Sequence, residues 1–259
     1  MSLYIERCGR GAPLVLVHGW ALHGGIWSGV IDALSAHREV WALDLPGHGA
    51  SAPPPSYTLD ALTAVLAQQL PARADWLGWS LGALVTLAFA QRYPARVGKL
   101  ALVAATPKFV QSPDWPHGMT PALLQQFAAN LARDHAATVA RFLSLQVNPG
   151  ERDTLRTLRA AVASRPAPTP AALTGGLELL RTGDLRAQLG EVVAPTLVLH
   201  GARDRLVPPA AGAYLADTLP HAYLHTVDGA AHAPFISHRD EFLSVLNAHW
   251  HGQRSASLK

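Results

Sequence analysis

The stretch Gly78-Trp79-Ser80-Leu81-Gly82 has the glycine-x-serine-x-glycine spacing that can present a nucleophile. It follows the short apolar run Trp76-Leu77 and opens an alanine- and leucine-rich helical stretch towards Tyr93, closed by Pro94. A serine at a strand-to-helix turn of this kind is held exposed by a strained backbone, and the flanking glycines let strand and helix approach. A serine hydroxyl is a weak nucleophile at neutral pH. It needs a base, a group that orients the base, and donors for the oxyanion it creates.

Thirteen histidines are available as the base, but most are scattered singly. His18, His23, His48, His117 and His200 sit near turns or strand ends, where structural or surface roles are expected. No His-x-x-x-His pair with an acidic partner suggests a metal site. His232 differs, because Gly229-Ala230-Ala231 and Ala233-Pro234 surround it with small residues just past the last expected strand. Its loop can approach the serine turn closely. The orienting acid should follow a late strand, and Asp204 in His200-Gly201-Ala202-Arg203-Asp204 meets that condition. Asp217, on an expected helix, and Asp228, four residues from His232, are competitors with structural readings. For the oxyanion, the backbone N–H of Leu81 is one donor, and Trp20 in His18-Gly19-Trp20 is the expected second. The side chains of Trp20 and Trp79 either wall an acyl pocket or simply pack the core.

The elements that must position these residues alternate between short apolar strands and helices. Leu14–Val17, Val40–Leu43, Leu100–Val103, Thr196–Leu199 and Ala222–Val227 read as strands. Ile26–Leu34, Leu59–Leu70 and Glu241–Trp250 read as helices. From about Lys108 to Gln188 strands give way to helical segments broken by prolines and glycines. The expected fold is α/β, with a mostly parallel central sheet flanked by helices. Residues 1–107 and 189–259 would form the core, and 108–188 a helical lid over the carboxyl ends of the strands, inserted after the sixth strand of the fold. Ser80, Asp204 and His232 occur in the order of an α/β-hydrolase, unlike the orders of the two other common serine-protease folds. A serine nucleophile argues against a dehalogenase, which uses aspartate on this fold. Gly9-Arg10-Gly11 precedes its strand, so it is no dinucleotide loop.

Bulk properties agree with one large soluble domain. The chain has 259 residues, 49% of them apolar, and a net charge of +3, too small to imply nucleic-acid binding. No apolar run is long enough to span a bilayer. Met1–Arg10 lacks the apolar core of a secretory signal, and the single Cys8 excludes an internal disulfide. A cytoplasmic monomer is expected, without metal, cofactor, nucleic-acid partner or membrane partner. On Glu151–Ser164, Arg152, Arg156 and Arg159 fall at i, i+4 and i+7 beside an apolar stripe of Leu155, Leu158 and Val162, and Arg141 comes from the preceding helical segment. This strip is either a solvated face or a surface for an acidic partner.

The chain resembles the pimeloyl-[acyl-carrier protein] methyl ester esterases of biotin synthesis, the BioH family. The resemblance runs from the first strand to about Trp250 and rests on Leu16-Val17-His18-Gly19-Trp20, Trp76-Leu77-Gly78-Trp79-Ser80-Leu81-Gly82, Gly175-Gly176-Leu177-Glu178-Leu179-Leu180 and Ala231-His232-Ala233-Pro234-Phe235-Ile236-Ser237-His238. It implies a serine carboxylesterase that cleaves the methyl ester of pimeloyl-carrier protein and releases methanol. The catalytic residues would be Ser80, Asp204 and His232, with Trp20 and Leu81 at the oxyanion site. Phe142 would line the acyl channel with Trp20 and Trp79. Arg141, Arg152, Arg156 and Arg159 would meet the acidic carrier protein. Two alternatives stay open: a broad short-chain carboxylesterase acting on small esters, and a non-catalytic ligand-binding protein on the same scaffold.

Overall fold

A computed structural model describes residues 2–252. Seven strands form one sheet: β1 (Ile5–Cys8), β2 (Ala12–Val17), β3 (Arg38–Leu43), β4 (Ala74–Trp79), β5 (Val97–Val103), β6 (Thr196–Gly201) and β7 (Ala222–Val227). Their spatial order is β1-β3-β2-β4-β5-β6-β7; β1 runs antiparallel to β3 and every other pairing is parallel. The central parallel strands carry buried apolar runs, Leu14–Val17 in β2 and Leu100–Val103 in β5, because both faces of the sheet are covered. Alternation along β2 makes this plain, for Val15 and Val17 join one core cluster while Leu14 and Leu16 join the other.

Helices α1 (Ser28–Ser35), α2 (Leu59–Gln69), α3 (Leu81–Arg92), α8 (Pro209–Thr218) and the pair α9 (Pro234–Ser237) and α10 (Arg239–Trp250) flank the sheet. On one face lies α3, which buries Leu81, Leu84, Val85 and Phe89 in the cluster of Val15 and Val17. On the other, Val30 and Leu34 of α1 meet Phe242 and Leu246 of α10. Thr58 starts α2 by accepting a hydrogen bond from Ala61 N–H at 3.1 Å, as an N-cap should.

Between β5 and β6 the chain builds α4 (Pro121–Arg133), α5 (His135–Leu145), α6 (Arg152–Ala163) and α7 (Pro170–Thr182). Asp134 caps α5 through Ala137 N–H at 2.9 Å, and Thr169 caps α7 through Ala172 N–H at 3.2 Å. The excursion leaves and returns at one place. Lys108 bridges to Asp184 with an ion pair of 3.1 Å, and Leu185 N–H donates to the Pro107 carbonyl at 2.9 Å. Further ties hold it to the core: His23 Nε2–H to the Ala161 carbonyl at 2.6 Å, Thr169 N–H to that of Gly47 at 2.9 Å, and Asn148 Nδ2 to that of Gly229 at 3.1 Å. Arg165 reaches the buried Asp44 at 2.5 Å and Glu6 at 2.6 Å.

The helices follow Leu100–Val103, the place in the chain that the sequence expectation gave them; that strand is the fifth of the seven described here and was counted as the sixth of the general fold. Strand β1 has no counterpart in the expectation. No described helix is long and apolar enough to cross a membrane.

Candidate active site

Ser80 stands between β4 and α3 with φ 56° and ψ −120°. A non-glycine residue there costs on the order of 1–3 kcal/mol, so the surroundings must enforce it. They do so through backbone bonds: Ser80 N–H donates to the Val103 carbonyl on β5 at 3.0 Å, and the Ser80 carbonyl accepts from Ala83 N–H at 2.9 Å. The glycines on either side are sterically required. A Cβ on Gly78 would lie 2.6 Å from the Gly82 carbonyl oxygen and from Thr86 Oγ1, and one on Gly82 would collide with the carbonyls of Val17 and His18.

Asp204 sits in the turn after β6, with its side chain fully buried. Oδ1 accepts the N–H groups of Leu206 and Val207, each at 2.9 Å, and Oδ2 accepts Nδ1–H of His232 at 2.7 Å. Burial alone would push this carboxyl up, but the charge and hydrogen bonds of the imidazoles of His232 and His200 overcome it and hold it well below the usual carboxylate range. Asp217 lies on α8 and Asp228 just beyond β7; the imidazole is bonded to Asp204.

The His232 loop is fixed from two sides. Its N–H donates to the Gln146 carbonyl, behind α5, at 3.2 Å, and its carbonyl accepts the indole N–H of Trp79 at 2.8 Å. The Trp79 ring, wholly buried, also packs 5.7 Å from the imidazole and against Trp27 and Phe235. With Nδ1–H committed to Asp204, Nε2 is the acceptor, and it is buried without a partner among the described residues. The structure therefore joins the acid to the base, while no hydrogen bond links His232 to Ser80. Such bonds are often long in unliganded sites and tighten when substrate arrives.

The segment His18-Gly19-Trp20 passes beside the serine, since a Cβ on Gly19 would lie 3.3 Å from Ser80 Cβ. Neither Trp20 N–H nor Leu81 N–H has an acceptor among the described residues, and Leu81 opens α3, where the helix dipole favours negative charge. His18 has a part here that the sequence reading did not assign. Leu45 N–H donates to its Nε2 at 2.8 Å, so the proton is on Nδ1, which donates to the Gly19 carbonyl at 2.8 Å. In a trans peptide the C=O and N–H are antiparallel, so holding the Gly19 carbonyl fixes the direction of Trp20 N–H. Burial, with His48 nearby, pushes the His18 imidazole well below its ordinary range, which keeps it neutral for this task. His200, read as structural from sequence, touches the Asp204 carboxylate at 3.4 Å. Its spacing of four residues from Asp204 was the available signal.

The Trp20 indole N–H donates to the Leu173 carbonyl on α7 at 2.9 Å, and its ring meets Phe142 of α5 edge-on at 4.8 Å. Together they form an apolar roof contributed by core and insertion. Arg141, Arg152, Arg156 and Arg159 are all exposed. Arg156 pairs with Asp153 at 2.8 Å, whereas Arg152 and Arg159 form no ion pair among the described residues. Arg152 borders a cleft of about 420 Å³ with Arg205, Leu145 and Leu206. Arg159 borders a mostly apolar cleft of about 360 Å³ whose walls include Leu143 and Leu173. No group of three or more described His, Cys, Asp or Glu residues is arranged to hold a metal ion.

The family described as the alpha/beta hydrolase fold matches residues 12–239. Among curated proteins, the chain is 44% identical to a pimeloyl-[acyl-carrier protein] methyl ester esterase of Nitrosomonas europaea, over 95% of this chain and 99% of that protein. It is 43% identical to the protein of that name from Methylococcus capsulatus, over 95% and 98% respectively. Among solved structures, a bromoperoxidase from Bacillus anthracis superposes with a TM-score of 0.88 at 25% identity, covering 96% of this chain and 95% of that one.

Proposed function

We propose a function from one premise: the chain belongs to the alpha/beta hydrolase family and, within it, to the pimeloyl-[acyl-carrier protein] methyl ester esterases. It is an ester hydrolase that converts the methyl ester of pimeloyl-carrier protein to pimeloyl-carrier protein and methanol in biotin biosynthesis. In this reading Ser80 Oγ attacks the ester carbonyl while His232 Nε2 takes its proton. Asp204 holds the ring in the Nδ1–H tautomer and stabilises the imidazolium. The N–H groups of Trp20 and Leu81 receive the oxyanion. Collapse breaks the bond to methoxide, which leaves as methanol with the proton from His232. Water then attacks the acyl-enzyme with His232 again as base, freeing the carboxylate and Ser80. The observation that supports this most is the partnerless, buried Nε2 of an imidazole already bound to Asp204.

Trp20 and Phe142 wall the acyl chain in this scheme, with Trp79 behind the base loop. The insertion, residues 108–188, acts as a lid that opens to admit substrate, and Arg141, Arg152, Arg156 and Arg159 receive the acidic carrier. The protein works as a cytoplasmic monomer on a soluble partner, and the steps call for no cofactor, nucleic acid or membrane.

The test compares carrier-linked methyl ester with a p-nitrophenyl ester of a short acid. Ser80→Ala lowers kcat on both by on the order of 10⁶-fold; turnover retained in that variant overturns the mechanism. Replacing Arg152, Arg156 and Arg159 together by Glu raises KM for the carrier-linked ester by on the order of 10²-fold, at up to ~1 kcal/mol for each exposed charge, and leaves the small ester unchanged. Equal effects on the two substrates favour the broad esterase instead.

A further inference from the structure

Strand β6 ends beside an imidazole that the reaction scheme leaves unused. His200 is fully buried. Its Nε2 lies 2.9 Å from the Val207 carbonyl, so this nitrogen carries the proton. The same N–H stands 3.4 Å from Oδ2 of Asp204, the oxygen that receives Nδ1–H of His232. The other ring nitrogen, Nδ1, is buried without a partner and faces α8, where a Cβ on Gly212 would lie 2.6 Å from it. The absence of a side chain at Gly212 is therefore what admits the ring. The charged or titratable groups acting on the Asp204 carboxylate are these two imidazoles, the remaining partners being backbone N–H groups.

We propose that His200 is a positioning residue for the active site, supplying a second imidazole N–H to Asp204 Oδ2 that sets the angle and the basicity of the carboxylate towards His232. The inference rests on the reading of Ser80, Asp204 and His232 as the catalytic set. Oδ1 is fixed by two backbone donors, whereas the one hydrogen bond on Oδ2 among the described residues comes from His232. The imidazole N–H, bonded to the Val207 carbonyl and with its nitrogen 3.4 Å from Oδ2, lies close enough to restrain that oxygen and to withdraw electron density from it. Without it, Oδ2 becomes a stronger acceptor, His232 holds its proton more tightly, and the base is occupied at pH values where it should be free.

The test uses His200→Asn and His200→Gln. Glutamine places its amide nitrogen where the ring has Nε2, whereas asparagine places it where the ring has Nδ1. On the p-nitrophenyl ester, His200→Asn lowers kcat by about tenfold with KM within about twofold, the size of one weakened bond to a charged group. The acidic limb of its kcat/KM profile moves to higher pH, and His200→Gln restores both limb and rate to within about threefold of wild type. Should the asparagine variant fail to fold, His200→Leu, a closer match in volume, carries the same expectation. An unmoved limb, with activity lost only in proportion to folded protein, overturns the proposal, as does failure of glutamine to rescue. Asp204→Asn is assayed alongside. If it stays active, the catalytic reading itself falls; if it is inactive while the His200 variants behave as wild type, only the present inference falls.

Discussion

At the scale of the residue, the proposed oxyanion site turns on one peptide plane. His18 grips the Gly19 carbonyl, and the Trp20 N–H on the same plane is left pointing the other way, without an acceptor among the described residues. Replacing His18 by Gln puts an amide at the Nε2 position facing Leu45 but removes the Nδ1–H that grips the Gly19 carbonyl, so kcat on a small ester should fall by about tenfold or more while KM hardly moves, a fraction of the cost of losing the oxyanion donor outright. Parallel thermal melts separate this from loss of fold; a KM effect without a kcat effect would refute it. The strand-to-helix turn at Ser80 and the meeting of Asp204 with His232 were legible in sequence because each residue sits in a short run whose neighbours give it away: flanking glycines, a preceding strand, small residues around a loop. The work of His18 and His200 was not. Both act through hydrogen bonds set by how two loops meet, and a histidine followed by glycine looks the same whether or not such a meeting occurs.

At the scale of the element, the link between α6 and α7 is fastened by a charge. Arg165 reaches a fully buried Asp44, whose carboxylate also accepts Gly24 N–H at 2.7 Å and Ala50 N–H at 2.9 Å. Arg165→Met leaves that carboxylate buried beside two backbone donors but no counter-charge. Breaking such a pair costs about 3–5 kcal/mol, and the remaining N–H bonds place this case near the lower end. Urea titration should show it as a lower midpoint; a change below ~0.5 kcal/mol, within the range of ordinary surface substitutions, would mean that the guanidinium is replaceable by solvent. Sequence periodicity located most elements, giving α2 as 59–70 where it spans 59–69, and α6 as 151–164 where it spans 152–163. It missed β1, Ile5-Glu6-Arg7-Cys8, because an edge strand carries charges and is only half buried. It started the strand β4 late, since Ala74-Asp75 lacks the apolar character of Trp76-Leu77.

At the scale of the whole molecule, buried histidines tie stability to pH. Burial lowers His48 and His249 to about 4, and lowers His18 well below its ordinary value. Unfolded, all three titrate near 6.5. Between those limits the unfolded chain binds protons that the folded one refuses, so stability falls as pH drops through 6.5. Each group adds a slope approaching ~1.4 kcal/mol per pH unit. Asp204 acts in the same direction lower down: its folded value is depressed, so its contribution is present above the ordinary carboxylate range and lost as pH falls through it. Denaturant midpoints at pH 7, 6 and 5 should decline, and His48→Phe should flatten the decline. Midpoints that do not change over this range would show that these rings take up protons without unfolding.

The parallel sheet demands that a chain leaving the top of β5 return to the bottom before β6 can begin. That journey is made by residues 185–195 alone, for at Leu185 the backbone is still hydrogen-bonded to Pro107. Everything from Lys108 to Asp184 is thus a detour whose two ends meet. Because its ends already touch, changing its length or content alters little of the closure entropy of the remaining chain. A whole canopy could be exchanged at this junction while the framework that carries Ser80, Asp204 and His232 stayed as it is.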